Sequence, residues 1–323
     1  MVAVITVAVP EHWRAVFFAR DELGTLGEVT VLPQDAPLPP ETRVLVTGWG
    51  APVLSAELLA GVPDLELVAH TGGTVKPFVT DAVWARGIRV TQAGEAMAYA
   101  VGEAALASTL ALLHQLPRFD HALHTGASWQ AAKAAPPRNE LAASTVGVLG
   151  ASRTGRHYLR LVRALGAEVL VADPYLSTGQ ARELGARHCE LDELLASSAI
   201  VAVHAPVLPE TRHLLGAREL ALLPDGAGLV NTARSWLVDQ DALLAELRSG
   251  RIDAALDVFD EEPLPAEHPF RGLPNVLLTP HEAAGTRQAR RRQGGLIVAE
   301  VARFLRGETL KHEVRATDLA RMG

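Results

Sequence analysis

Two series of short β-rich runs alternate with helical stretches along this chain. The first is Val2–Val9, Glu28–Leu32, Arg43–Thr47, Leu65–Ala69 and Ile88–Thr91, with a helical stretch at Glu11–Leu23. The second is Thr145–Gly150, Glu168–Ala172, Ile200–His204, Gly228–Asn231, Ile252–Asp257 and Val276–Leu278. Strand runs alternating with helices point to parallel sheets in an α/β protein. A long apolar helix is predicted from about Ala98 to Leu116, and a final helix over Arg287–Arg306.

Length and composition narrow the picture. At 323 residues the chain suggests about two domains, and 48% apolar with 21% charged residues marks an ordinary globular protein. A net charge of −7 gives no basic surface for nucleic acid or an anionic membrane. The only cysteine, Cys189, excludes an internal disulfide and suits a reducing cytoplasm. Met1–Val9 lacks a basic flank and runs into Pro10, so it is predicted as a strand, not a signal peptide. The apolar run at Ala104–Leu113 carries Ser108 and Thr109 and falls short of about 18 residues, so no membrane span is expected. His121 and His124 lie near Asp120, but a solvated helix end is preferred to a metal site, and no metal is expected.

The second series opens with dinucleotide-binding chemistry. Gly150-Ala151-Ser152-Arg153-Thr154-Gly155 follows the Thr145 strand and opens a helix expected from about Thr154 to Leu165. Glycines there let backbone approach a pyrophosphate, the helix N-terminus favours its charge, and an acid at the end of the next strand, here Asp173, bonds the adenosine ribose. Ser152 stands where the middle glycine of such a turn is usual.

Three later stretches supply an Arg/Glu/His set. They are Asn231-Thr232-Ala233-Arg234, Asp257-Val258-Phe259-Asp260-Glu261-Glu262-Pro263 and Thr279-Pro280-His281. An arginine fork holds a carboxylate and polarises the carbonyl beside it. A histidine delivers a proton to that oxygen as hydride reaches carbon, and a neighbouring glutamate holds its tautomer and raises its pKa. Each residue also has a plainer reading: Arg234 in a structural ion pair, His281 on the surface or satisfied in the core, Glu262 in an acidic cluster.

Taken together, these stretches resemble the D-isomer-specific 2-hydroxyacid dehydrogenases over about Leu65 to Thr286. Also matching are Arg86-Gly87-Ile88, Leu191-Asp192-Glu193-Leu194-Leu195 and His204-Ala205-Pro206 with Glu210-Thr211. The resemblance implies two Rossmann-like doubly wound domains with the active site in the cleft between them. Residues 1–97 and 287–323 would form a discontinuous substrate domain, and residues 98–286 the NAD-binding domain. It further implies Arg234, Glu262 and His281 as the catalytic set. NAD would lie on Gly150, Ser152, Arg153, Thr154, Gly155, Asp173, His204, Pro206, Thr211, Thr232 and Asp257, the last bonding the nicotinamide carboxamide. Asp173 favours NADH over NADPH, because a carboxylate repels a 2′-phosphate. Ser235 replaces the glycine usual after this arginine.

By the same resemblance the substrate loop is Gly72-Gly73-Thr74-Val75-Lys76, with amides near Gly73 and Thr74 on the substrate carboxylate. Lys76 and Pro77 depart from the Asp or Asn common there. Lys76 is either a solvated lysine or a cation for a second anionic group; Trp49 either lines the cleft or packs the domain. The expectation is an NAD(H)-dependent 2-oxo acid reductase acting on hydroxypyruvate, glyoxylate, phosphohydroxypyruvate or phosphonopyruvate, and forming a homodimer. With nothing after Gly323, a serine-feedback domain is not expected. The alternative is an NADH-sensing binding protein of the same superfamily with little turnover.

Overall fold

A computed structural model describes residues 4–33 and 36–319. Its strands follow the apolar runs in order. They are β1 (Ile5–Ala8), β2 (Val29–Val31), β3 (Val44–Thr47), β4 (Leu67–His70), β5 (Arg89–Gln92), β6 (Thr145–Leu149), β7 (Glu168–Ala172), β8 (Arg187–His188), β9 (Ile200–Val203), β10 (Gly228–Asn231), β11 (Asp253–Leu256), β12 (Val276–Leu278) and β13 (Glu313–Val314). The helices that bear on function are α1 (Glu11–Phe17), α2 (Gly94–Leu113), α3 (Leu116–His124), α4 (Arg153–Ala164) and α5 (Arg287–Leu305).

Two compact units result, one of residues up to Met97 together with those from Gly285, the other of Ala98–Ala284. The first holds a six-stranded sheet in the order β13-β5-β4-β3-β1-β2. All its neighbours are parallel except β13, which pairs antiparallel with β5. Period-2 alternation sorts its side chains onto two buried faces. Ile5, Val7, Val44, Val46, Leu67 and Ala69 join Ile297 and Val301 of α5 on one side. Leu45, Val68 and Val90 pack with Leu54, Leu59 and Val83 on the other.

The second unit is a seven-stranded, wholly parallel sheet in the order β12-β11-β10-β9-β6-β7-β8. Leu149, Leu170, Val201, Val203 and Leu229 fill one face, and Val146, Val148, Val171, Ala202 and Val230 the other. Apolar side chains on both faces require cover on both faces, so each sheet is doubly wound.

Several elements depart from expectation. The first helix ends at Phe17, short of Leu23, and a 3₁₀ turn at Leu23–Leu26 follows. The long helix starts at Gly94, whose amide the Gln92 side chain caps, and stops before Gln115, which takes a left-handed φ of 57°. Leu116 therefore opens a separate helix, α3. Counted from Gly94, α2 is 20 residues long with a mean hydropathy of 1.5, long and apolar enough to cross a membrane, contrary to the expectation from the shorter run. Half of that apolar window is buried, and Ala105 and Leu112 on α2 pack into the sheet core. The Thr109 hydroxyl lies between them and bonds that of Tyr158 at 2.6 Å. The two-residue strands β8 and β13 are too short to leave a periodic signal. Val2 and Ala3 of the expected first strand lie outside the described residues.

The arginines that open α5 contact neighbouring elements. Arg290 stacks over Trp13 at 4.5 Å, Arg291 donates to the Ala15 carbonyl at 2.9 Å and Arg292 to that of Ala96 at 3.3 Å. The first two contacts seat α5 on α1 and the third ties it to α2; Gly294 allows the approach to α1, since a Cβ there would lie 2.1 Å from the Phe17 carbonyl oxygen. Gly294→Ala is therefore expected to lower stability by roughly 1–3 kcal/mol through overpacking. Gly295→Ala, next to it, meets only the flexible end of Glu22 and should gain up to about 1 kcal/mol of helix propensity. Urea unfolding of both variants checks the contrast.

Candidate active site

Parallel strands end at one edge, and in the second unit that edge gathers the residues singled out by sequence. At the end of β6, Gly150 turns with a φ of 90°, and a Cβ there would meet Ala205 backbone at 2.7 Å. Gly155 in the first turn of α4 sits so close that a Cβ would lie 2.2 Å from the Gly150 carbonyl oxygen. Ser152 lies between them at φ −63°, a value any residue adopts, so the backbone there does not need glycine's conformational freedom. Its side chain caps α4, accepting from the Gly155 amide at 3.3 Å and meeting the Thr154 hydroxyl at 3.0 Å. The cap starts the helix at Arg153, one residue earlier than predicted. Asp173 follows β7 and accepts from the Ala151 amide at 2.7 Å and the Tyr175 amide at 2.8 Å, tying the two strand ends together.

Further along the edge, Thr232 follows β10 with a buried hydroxyl that has no partner among the described residues. Its cost to the fold calls for a ligand acceptor or donor. A tight glycine turn, a capped helix N-terminus, an acid after the next strand and this orphaned hydroxyl together fit a dinucleotide such as NAD. Other candidates there serve the loops themselves. The Thr211 hydroxyl accepts from the Leu208 amide at 2.9 Å and donates to the Pro206 carbonyl at 2.8 Å. His204 turns its ring inward, 5.1 Å from Tyr158, and neither ring nitrogen has a partner among the described residues. Cofactor contact at this position would thus fall to backbone.

The Arg/Glu/His set converges at the same edge. The Asn231 side chain accepts from the Ala233 amide and donates to the Arg234 carbonyl, both at 3.0 Å, which fixes the arginine's backbone. Burial pulls the Arg234 guanidinium below its ordinary range, opposed by the charges of Glu262 and Asp257. Ser235 opens a 3₁₀ turn through Leu237 without positive φ, so no glycine is needed after the arginine. His281 and Glu262 meet at 2.6 Å between Nδ1 and Oε2. A carboxylate only accepts, so Nδ1 carries the proton and Nε2 remains for exchange with a ligand. The other Glu262 oxygen accepts from the Phe259 amide at 2.9 Å, anchoring the pair to the β11 loop.

Asp257 has a role that sequence reasoning missed. Nearly sealed from solvent, its carboxylate accepts from the Thr279 hydroxyl at 2.6 Å and from the Glu282 and Ala283 amides at 2.9 Å. These donors bracket His281, whose φ of 54° is the left-handed conformation that a non-glycine residue adopts only at a cost. Asp257 thereby holds the histidine loop, whatever it offers a cofactor. A threonine two residues before a histidine was the only visible signal.

In the first unit, Trp49 follows β3 and the Gly72–Thr74 loop follows β4. The parallel pairing of Thr47 with His70 sets these two segments side by side. Trp49 is partly exposed, Gly73 and Thr74 are half-buried, and Lys76 is exposed on the turn that follows. Gly73 packs on Met97, where a Cβ would lie 3.3 Å from Sδ. His121 and His124 sit on α3, the latter paired with Asp120 at 3.1 Å, and no group of three or more metal-ligating side chains occurs among the described residues.

Comparison with known proteins agrees with this geometry. The family described as "D-isomer specific 2-hydroxyacid dehydrogenase, NAD binding domain" matches residues 106–283. The D-3-phosphoglycerate dehydrogenase of Mycobacterium tuberculosis H37Rv is 37% identical over 272 residues, 83% of this chain and 50% of that protein. The chain thus spans about half the length of such curated relatives. A glyoxylate reductase from Aeropyrum pernix is 34% identical over 79% of this chain and 78% of its own. Among solved structures, D-lactate dehydrogenase from Aquifex aeolicus, complexed with NAD and lactic acid, is similar. It has a TM-score of 0.75 and 25% identity, covering 94% of this chain and 96% of that one.

Two buried histidines give the fold a pH dependence. Burial pushes His70 down to about 4 and His204 down to about 3, whereas both titrate near 6.5 when unfolded. Between those values the unfolded chain binds more protons, so stability is full above pH ~6.5 and is lost as pH falls. At pH 4.5 the loss is roughly 2–3 kcal/mol per ring, at 1.36 kcal/mol per pH unit. Urea midpoints at pH 7 and 4.5 should show that loss, and His204→Leu should lessen it.

Proposed function

We propose that this chain, which belongs to the D-isomer-specific 2-hydroxyacid dehydrogenase family, is an NADH-dependent reductase of a small 2-oxo acid. In reverse it is a D-2-hydroxy acid dehydrogenase. The observation that carries the reading is the 2.6 Å His281–Glu262 pair at the sheet edge that also bears Arg234 and the dinucleotide turn. Arg234 holds the substrate carboxylate and polarises the 2-oxo group. NADH, held at the Gly150–Gly155 turn and Asp173, would supply the hydride for C2. His281 gives the Nε2 proton to the oxygen, and Glu262 stabilises the imidazolium through Nδ1 beforehand. Loss of that proton to the alkoxide returns the neutral tautomer, with Nδ1–H still on Glu262. Orientation and fixed charge account for the protein's part of the rate.

The substrates that fit this reading are hydroxypyruvate, glyoxylate, phosphohydroxypyruvate and phosphonopyruvate. The names of the phosphoglycerate dehydrogenase and glyoxylate reductase relatives support that range. A homodimer in the cytoplasm belongs to the same proposal. Leu116, Leu123 and Trp129, exposed at 54, 48 and 68%, offer apolar area on and after α3 for a second copy.

NADH oxidation followed by absorbance against these acids and pyruvate tests the proposal. One or more should turn over, and His281→Ala should cut kcat about 10²–10⁴-fold as a lost general acid–base. Silence across the panel despite NADH binding would favour the sensing alternative. Because Asp173 repels a 2′-phosphate, kcat/KM with NADH should exceed that with NADPH by at least about tenfold, or ~1.4 kcal/mol. Asp173→Ala should narrow that gap, and a wild-type preference for NADPH would refute the assignment.

A further inference from the structure

Asp173, the acid at the end of β7, owes its position to more than its own carboxylate. Asp173-Pro174-Tyr175-Leu176 forms a β-turn, closed by the Leu176 amide on the Asp173 carbonyl at 3.1 Å. Proline presets the backbone at the second position of such a turn, and an acid at the first binds the amide two residues on. Here Oδ1 of Asp173 accepts from the Tyr175 amide at 2.8 Å, and Oδ2 from the Ala151 amide at 2.7 Å. Leu176, 5% exposed, seats the far end of the turn in the core.

The near end has a tether from another strand. His188 ends β8, the edge strand of the sheet, where it pairs with Val171 of β7. Its Nε2 lies 3.1 Å from the Asp173 carbonyl oxygen. A carbonyl only accepts, so Nε2 carries the proton and donates. The Leu176 amide and His188 together use both lone pairs of that oxygen. The Cys189 amide donates to the Val171 carbonyl at 3.1 Å and holds β8 in register beside the turn. The Asp173 backbone is thus tied to its own turn and to the neighbouring strand, and its carboxylate to the end of β6.

We infer that His188 is a positioning residue for cofactor choice, whose Nε2–H holds the Asp173 turn so that the carboxylate meets the 2′ position of the adenosine ribose. The inference rests on the reading of Asp173 as the ribose acid and adds the residue that steadies it. A fixed carboxylate accepts from a 2′-hydroxyl and turns its charge on a 2′-phosphate. One that can swing away gives less to the first and opposes the second less. Loss of the tether therefore weakens NADH binding and eases NADPH binding, whereas a general loss of folding would weaken both alike.

Dissociation constants for NADH and NADPH, read by fluorescence titration of the full chain, test this without turnover. His188→Phe keeps a ring and removes the donor. It should lower the NADPH-to-NADH ratio of dissociation constants about fivefold, as the loss of one hydrogen bond would. His188→Gln, whose amide places an N–H near the same point, should recover most of that ratio. Asp173→Ala should lower it too, and adding His188→Phe should then change it no further, because the two residues act through one carboxylate. His188→Leu serves if the phenylalanine variant does not fold. An unchanged ratio on removal of the donor, glutamine behaving like phenylalanine, or a further fall in the double variant would overturn the role of His188 alone. Wild-type protein that binds NADPH as tightly as NADH would instead remove the reading of Asp173 beneath it.

Discussion

A strand in a parallel sheet must be followed by a crossover, so every strand of such a sheet delivers its carboxyl end to the same edge. Both sheets here obey this constraint, apart from the antiparallel β13. In the second unit it gathers Gly150, Asp173, Thr232, Asp257 and Thr279, which lie within two residues of the ends of β6, β7, β10, β11 and β12. In the first it sets Trp49 beside the Gly72–Thr74 loop. In the second unit no single contact creates the site; the edge of its own sheet does, and local hydrogen bonds then sharpen it.

Those hydrogen bonds follow from the cost of burying charge. A buried carboxylate without donors would be untenable, and Asp257 meets that requirement with three donors drawn from either side of His281. The same bonds hold His281 at a backbone conformation it would not choose alone. Glu262 is likewise divided between the Phe259 amide and the imidazole, so the acid–base pair is coupled to the scaffold through one side chain. The buried rings of His70 and His204 meet the same dielectric in the opposite way, by remaining neutral.

Close approach is the third theme. Gly155 and Gly294 each bring a helix onto backbone with no room for a methyl group, one beneath the dinucleotide turn and the other between α5 and α1. Ser152 shows the converse. Its position in the turn asks for an extended backbone and a cap, and a serine meets both needs better than glycine would.

Much was legible in the sequence because its signals are local or periodic. The apolar runs predicted every strand longer than two residues, and motif order pointed to the Arg234, Glu262 and His281 set and to the turn around Ser152. What it could not show depends on contacts between residues far apart in the chain. Gln92 capping α2 and the turn at Gln115 moved helix boundaries, and the arginines of α5 reach carbonyls and a ring far away in the chain. The clamp from Asp257 to the His281 loop spans more than twenty residues, and the His188–Asp173 bond spans 15. The sequence by itself determined the two α/β series, the family and the residue types available for chemistry, since these rest on periodicity and short motifs. Only the tertiary structure decided which carboxylate steadies the histidine loop, which hydroxyl is left without a partner among the described residues and which histidine tethers the Asp173 turn. Burial and hydrogen-bond satisfaction are properties of the packed chain.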